Sequence, residues 1–363
     1  MNPEVTIIIP TYNSEEYIAQ ALKSVFAQTY HDWEIVMVDD ASGDSTVEIA
    51  RSFQEPRLKI IQNTQNRGVS YGRNRAIKEA RGKWIALLDS DDWYAPQRLE
   101  KLLAVAERRD VNLIADNLFL IKDNHQHHWS TLLQENQQVL SSPIETIDAV
   151  KFVTSDRLST IDNKPNWSLG YTKPLIERKF LLENNIWYRE DIKVGEDFIL
   201  YLECLMHQAK FCIVNQPYYY YRTRDFSLST RRPTDYLAES CKITQAFIDR
   251  ELLSSTNSEL LDVLSENLVI FQKKLAYHQL IDDITARKFL KAIERVINGP
   301  YVLWDLLKKS VILSKRRLAK TLKIKPVKRS SNLLDKQKYS ADNIYIFINL
   351  SKSDRLNSKL KIF

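Results

Sequence analysis

The sequence predicts an α/β protein in which a mostly parallel sheet carries helices on both faces, followed by a helical extension. Three observations carry this. Short apolar runs alternate with helically periodic segments through roughly the first 110 residues, the pattern of strands joined by crossover helices. Polar clusters follow four of those strands: Thr11-Tyr12-Asn13, Asp39-Asp40, Asn66-Arg67-Gly68 and Asp89-Ser90-Asp91-Asp92. In such sheets ligands bind beyond the carboxyl ends of the strands. Finally, six of the seven glycines lie at or before Gly195, so demanding loop geometry is confined to the earlier part and helical packing to the later.

The elements follow in order. Residues 5–9 (VTIII) form a strand ended by Pro10. Asn13 or Ser14 caps the next helix, with Glu15 and Glu16 in its first turn and Ile18, Ala21, Leu22, Val25 and Phe26 at helical spacing. WEIVMVDD is a second strand, and SGDSTVEIARSF is a turn and a helix. RLKIIQN, SYGRNRAIKEA and KWIALLD give a strand, a helix and a fourth strand. A helix runs from Gln97 to about Arg109, then VNLIADNLFLI is a strand, KDNHQHHWS a connection, and 141–190 a mixed region. VGEDFILYLECLMHQA is a helix with an acidic first turn, and KFCIVNQPYYYYR is a strand. From about Thr234 the pattern is helical, with Leu237, Ile243, Phe247, Leu261, Leu264, Leu268 and Phe271 as core. The expected organisation is 1–233 as the main domain (halves 1–110 and 111–233), 234–299 as a helical extension, 300–330 as a basic amphipathic segment and 331–363 as a polar tail.

Bulk properties bound the rest. A chain of 363 residues, 44% hydrophobic, is long enough for a large core. Three cysteines make no disulfide framework, which points to a reducing cytoplasm. No apolar run reaches membrane-span length, and the N-terminus lacks the pattern of a signal peptide. Net charge is +6 but uneven: 300–330 holds ten Lys/Arg against one acid, Asp305, for +9, so the remainder is −3. Leu303, Leu307, Val311, Leu318 and Leu322 form a stripe in 301–322, with Lys308, Lys309, Lys315, Arg316, Arg317 and Lys320 mostly off it. Such a segment suits a peripheral contact with the inner face of the plasma membrane; the alternative is a helix packed on its own domain. Aromatics are not interleaved there and no nucleic-acid motif occurs, so nucleic acid is not an expected partner.

The chemistry concentrates in the acids. Asp89, Asp91 and Asp92 end a buried-looking strand with no cation beside them. Two carboxylates about 5 Å apart repel by about 3 kcal/mol at an effective dielectric near 20, so something positive has to sit there. Mn²⁺ or Mg²⁺, which takes one or two carboxylates plus substrate phosphates, would serve. The alternative is a solvated turn with Asp92 capping the next helix. Asp39 and Asp40 can accept from a nucleobase or a ribose, or simply cap a helix. Arg73 and Arg75, near the start of a helix, can reach phosphate or base, or lie on the surface. Glu196-Asp197 is either a general base or an ordinary acidic first turn. His125, His127 and His128 match no zinc spacing. Tyr218–Tyr221 read as a half-buried strand.

Taken together, IIIPTYNSEEYIAQALKSVFAQTYHDWEIVMVDDASGDST, NRGVSYGRNRAI, WIALLDSDDWYAPQRLEKLL and VGEDFILYLECL resemble the family 2 glycosyltransferases of GT-A fold, especially bacterial exopolysaccharide and cell-surface members, over roughly residues 3–230. KPLIERKFLLENNIWYREDI is similar to that family's acceptor-side segment. The resemblance implies inverting transfer of one sugar from a nucleotide diphosphate sugar, a UDP-sugar by preference, to a hydroxyl of a glycan or lipid-linked acceptor. It implies that Thr11 and Tyr12 line the nucleotide pocket, Asp40 contacts the base, Arg73 the nucleotide and Asp89 the ribose or metal shell. It further implies that Asp91 ligates Mn²⁺ or Mg²⁺ and that Asp197, with Glu196 as second choice, is the base. The Q-x-x-R-W motif of processive synthases is missing, which favours single addition. A non-catalytic sugar-nucleotide-binding partner in an assembly complex is the alternative. A dinucleotide oxidoreductase is disfavoured because PTYNSEEY stands where G-x-G-x-x-G would follow the first strand.

Overall fold

The structure, a computed structural model, describes residues 2–299 apart from 124, 126, 137–141, 157–166, 225–232 and 255–256. The basic segment 300–330 and the tail 331–363 therefore lie outside the described residues.

The first half builds β1 (Val5–Thr11), α1 (Ile18–Phe26), β2 (Trp33–Asp39), α2 (Thr46–Ser52), β3 (Leu58–Gln62), α3 (Val69–Glu79), β4 (Trp84–Leu87), the two-residue β5 (Trp93–Tyr94) and α4 (Arg98–Arg109). The next part holds β6 (Leu113–Lys122), β7 (His128–Thr131), α5 (Leu132–Asn136), β8 (Ile144–Ile147), α6 (Ala149–Ser155), β9 (Leu175–Glu177) and α7 (Arg178–Glu183). Then come α8 (Glu196–Met206), β10 (Phe211–Thr223), α9 (Pro233–Ser254), α10 (Ser258–Thr285) and α11 (Phe289–Asn298).

The strands join one sheet in the order β3-β2-β1-β4-β9-β6-β10-β5, with β7 on β6 and β8 on β10. The β3-β2-β1-β4 half is parallel, as expected. All seven residues of β2 are buried, because helices cover both faces; this is why the strand reads as a continuous apolar run. Beyond β4, the antiparallel β9 couples this half to the long parallel β6–β10 pair. Pro217 sits where the β10–β6 register shifts, the place a proline can occupy inside a sheet. Two short strands, β7 and β8, add to the second half. β7 replaces part of the connection expected over KDNHQHHWS.

Other local expectations are corrected. α1 starts at Ile18 and has no side-chain cap. Asn13 and Ser14 instead knit the first loop to the next: Asn13 Oδ1 accepts from Gly43 N, and Ser14 N donates to Thr46 Oγ1. Asp92 does not cap α4, whose N-cap is Gln97. The later helices carry the expected core: Phe247 and Leu264 bury into the same apolar cluster as the sheet, and Leu261 and Leu268 pack against it. No helix of the described residues is long and apolar enough to cross a membrane.

Candidate active site

The parallel half aligns the ends of β1 and β2: Thr11 pairs in register with Asp39. Thr11 is buried and its hydroxyl donates to Val38 O and Asp39 Oδ1. Tyr12, the next residue, is 51% exposed and presents its ring at the rim. Asp39 shapes the following turn by accepting from Ser42 Oγ at 2.5 Å and Ser42 N at 3.2 Å. Asp40 has a different task. Its carboxylate accepts from Asn63 Nδ2 at 2.7 Å, from Arg67 N and from Gly68 N at 2.7 Å. The Arg67 amide reaches both oxygens, at 3.0 and 2.9 Å, so each oxygen of Asp40 accepts twice from the chain. Gly68, the N-cap of α3, has φ 91° and ψ 163°, a backbone region open essentially to glycine. Asp40 and Gly68 thus set the start of α3 together. Gly72, by contrast, needs no special backbone; a Cβ there would meet Pro10 and Val38 at ordinary contact distance.

That helix carries Arg73 into the centre. Arg73 is fully buried and donates from Nη2 to Asp89 Oδ1 at 2.7 Å, and from Nη1 to Glu196 Oε1 at 2.8 Å and Asp197 Oδ1 at 2.9 Å. Lys173 makes a second bridge between the same two aspartates, reaching Asp89 Oδ2 at 2.9 Å and Asp197 Oδ2 at 2.6 Å. Tyr188 Oη adds a hydrogen bond to Asp197 Oδ1 at 3.1 Å. The acids read from the sequence as uncompensated are therefore met by the chain's own cations, brought from α3 and from the segment before β9. Burial alone would raise the Asp89 carboxyl, but Lys173 and Arg73 outweigh it and hold it well below the usual carboxylate range. Glu196 goes the other way: burial, and then the charge of Asp197, raise it. Gly195 starts α8 with φ 85°, which turns both acids inward at a point where most residues would strain. Arg75 points elsewhere, to Gln62 O and Asn63 Oδ1.

Lys173 and Tyr188 were not singled out from the sequence, although both lie in the KPLIERKFLLENNIWYREDI stretch. A lone lysine before a proline carries no periodic signal, and its partners are distant in sequence. Arg98 was missed likewise. It is fully buried against Asp116, at 2.8 Å, and also donates to the carbonyl of Lys173. Its guanidinium lies over the rings of Tyr94 and Tyr219.

The remaining acids divide. Asp92 is buried and accepts from Tyr219 Oη and Arg222 N, both at 2.8 Å, pinning β10 behind the loop. Burial, then the charges of Asp91 and Asp89, push its carboxyl well up. Asp91 lies nearer solvent and pairs with Arg224. Burial raises its carboxyl, and Arg224 offsets only part of this. Among the described residues no three His, Cys, Asp or Glu side chains are grouped to hold a metal. An ion here would have to complete its shell with diphosphate oxygens rather than with a protein cage.

Comparison with known proteins places the fold and the family. The family model described as glycosyl transferase family 2 matches residues 6–159. The succinoglycan biosynthesis protein ExoO of Rhizobium meliloti is 28% identical over 84% of this chain and 84% of its own length. ExoU, a second succinoglycan biosynthesis protein of that organism, is 31% identical over 69% of this chain and 71% of its own. Among solved structures, S. aureus TarS 1-349 in complex with UDP-GlcNAc superposes with a TM-score of 0.54 at 20% identity, covering 82% of this chain and 73% of that one. The sheet described above is thus the GT-A fold.

Proposed function

The chain belongs to glycosyl transferase family 2 and is a glycosyltransferase; from that premise we propose that it moves one sugar from a UDP-sugar to a hydroxyl of a glycan or lipid-linked oligosaccharide, with inversion, in surface polysaccharide synthesis. One observation carries this reading. Asp89, which follows β4, and the Glu196-Asp197 pair at the start of α8 are locked onto the same two cations, Arg73 and Lys173. A donor site and a base held in one rigid frame is what direct transfer requires.

The contacts and the family resemblance support the following roles. The imide N–H of the base goes to Asp40, sharing an oxygen with the bifurcated Arg67 amide, and Tyr12 offers its exposed ring beside Thr11. Asp89 faces the ribose. Asp91, on giving up Arg224, would hold Mn²⁺ or Mg²⁺, which would supply a Lewis acid for the departing diphosphate. Arg73 spends three of its five N–H donors on Asp89, Glu196 and Asp197, so its first role is to hold Asp89 and the base in place. Asp197 accepts from Arg73, Tyr188 and Lys173, which leaves one lone-pair position for an acceptor hydroxyl. In the transfer that O–H bond breaks and its proton goes to Asp197. The oxygen bonds to the anomeric carbon from the face opposite the diphosphate, and the anomeric carbon–oxygen bond breaks with its electron pair leaving on phosphate. Glu196 is the second candidate for the base.

The test is nucleotide release by purified protein from UDP-, GDP- and dTDP-sugars with Mn²⁺. Slow release from a UDP-sugar, abolished by chelation, is the expected result. Equal release with chelator present would remove the metal from the reading, and release from GDP-sugars alone would replace the donor.

A further inference from the structure

α11 has one covered and one bare apolar side. Ala292 and Val296 pack with Leu280, Ala276 and Tyr277 of α10. Arg295 fixes the pairing by donating to Asp283 Oδ2 and Gln279 Oε1, each at 2.5 Å. Phe289, Leu290, Ile293 and Ile297 stand to the other side, exposed by 60, 84, 57 and 73%. At 3.6 residues per turn they fall within about 100° of arc, so they form one stripe. Exposed large apolar side chains scattered singly need no explanation, but four on one helical stripe do. Between 286 and 298 the exposed charges are Arg287, Lys288 and Lys291 against Glu294. The sequence that follows, 300–330, adds ten Lys/Arg and one acid.

We propose that α11 docks the protein on an anionic membrane surface, with Phe289, Leu290, Ile293 and Ile297 in the headgroup boundary and Arg287, Lys288 and Lys291 at lipid phosphates. An amphipathic helix with cations beside its apolar side is the form such contacts take. Charge selects lipid over a second copy of the chain. Two copies paired through this stripe would gather three exposed cations against one acid from each, an excess that the pairing leaves unneutralised, whereas anionic lipid attracts each cation, by about fivefold in partitioning per charge. The inference does not depend on which donor the enzyme uses.

The experiment is co-sedimentation of the full chain with phosphatidylcholine vesicles, with and without phosphatidylglycerol. Two double variants are compared with wild type: Leu290→Ser with Ile297→Ser, and Lys288→Glu with Lys291→Glu. Wild type is expected to pellet with the anionic vesicles, and each double variant to partition about tenfold more weakly or worse, with donor hydrolysis unchanged as evidence of folding. Wild type remaining in the supernatant, or both variants pelleting like wild type, would overturn the proposal. A wild-type dimer that Leu290→Ser with Ile297→Ser converts to monomer would assign the stripe to a second copy and overturn it too.

Discussion

Asp89 and Asp197 share two cations. Arg73 gives one guanidinium nitrogen to each, at 2.7 and 2.9 Å, and Lys173 Nζ reaches both, at 2.9 and 2.6 Å. Each carboxylate thus spends one oxygen on each cation, and the four groups close a neutral ring. Glu196, on Arg73 alone among these cations, adds the unbalanced negative charge.

Lys173→Met opens that ring. It leaves two little-exposed carboxylates facing one guanidinium, and breaking a buried pair by removing one partner costs about 3–5 kcal/mol. Urea unfolding at pH 7 should show a loss of about 3 kcal/mol. The pH dependence has a definite sign. Asp89 is depressed in the folded protein, so its contribution is present above the ordinary aspartate value of about 4 and lost as pH falls below it. Lys173 is raised, because Asp197 and Asp89 outweigh its burial, so its contribution is present below the ordinary lysine value of about 10.4 and lost as pH rises beyond it. The gap between wild type and variant should therefore be widest near neutrality and narrow at both extremes. A gap that widens below pH 4 would contradict the ring.

Glu196, the second candidate for the base, shares Arg73 with Asp197, so its ionisation sets the charge beside the base and with it the acid limb of the rate. Burial, and then the charge of Asp197, raise Glu196 above its ordinary value. The kcat/KM for donor hydrolysis should rise with pH through a group titrating above about 4.3. In Glu196→Gln that limb should move to lower pH or disappear. An unchanged limb in the variant would exclude Glu196 from the titration.

Gly68→Ala and Asp40→Asn probe the nucleotide end. Alanine cannot readily take φ 91° with ψ 163°, and the strain should cost about 1–3 kcal/mol. Asp40→Asn turns acceptor positions toward the donating Arg67 and Gly68 amides into a clash of donors, a loss of about 1–3 kcal/mol. Both variants should bind UDP more weakly by calorimetry while remaining folded. UDP affinity at the wild-type level in Asp40→Asn would separate the α3 start from the nucleotide pocket.

Asp116→Ala tests the frame behind the site. Arg98 and Asp116 are fully buried on each other, so the variant strands a guanidinium in the core at a cost of about 3–5 kcal/mol. Arg98 also holds the Lys173 carbonyl, so donor hydrolysis should fall even at temperatures where the variant is folded. A folded variant with wild-type hydrolysis would show that Lys173 keeps its place without Arg98.

How far the sequence carried depended on where each signal resides. β1, β2 and β4 are buried by helices, and burial on both faces writes an apolar run that can be read directly. β7, β8 and β9 are three or four residues long and set by pairing with β6, β10 and β4, which leaves little local pattern. Asp89, Asp91, Glu196 and Asp197 were visible as acids in unusual places. What neutralises them was not, because Lys173 and Tyr188 meet them only through the tertiary fold. Asp92 shows the same limit: a cap and a buried strand anchor look alike until Tyr219 and Arg222 are placed beside it.

The most direct test separates binding from chemistry in two variants, using UDP-sugar calorimetry with Mn²⁺ alongside nucleotide release. Asp91→Ala should lose the metal-dependent part of donor binding. Asp197→Asn should bind donor within a few fold of wild type and release nucleotide at least about a hundredfold more slowly, the scale of losing a general base. Asp197→Asn releasing nucleotide at the wild-type rate would contradict the placement of the base at the ring that Arg73 and Lys173 hold.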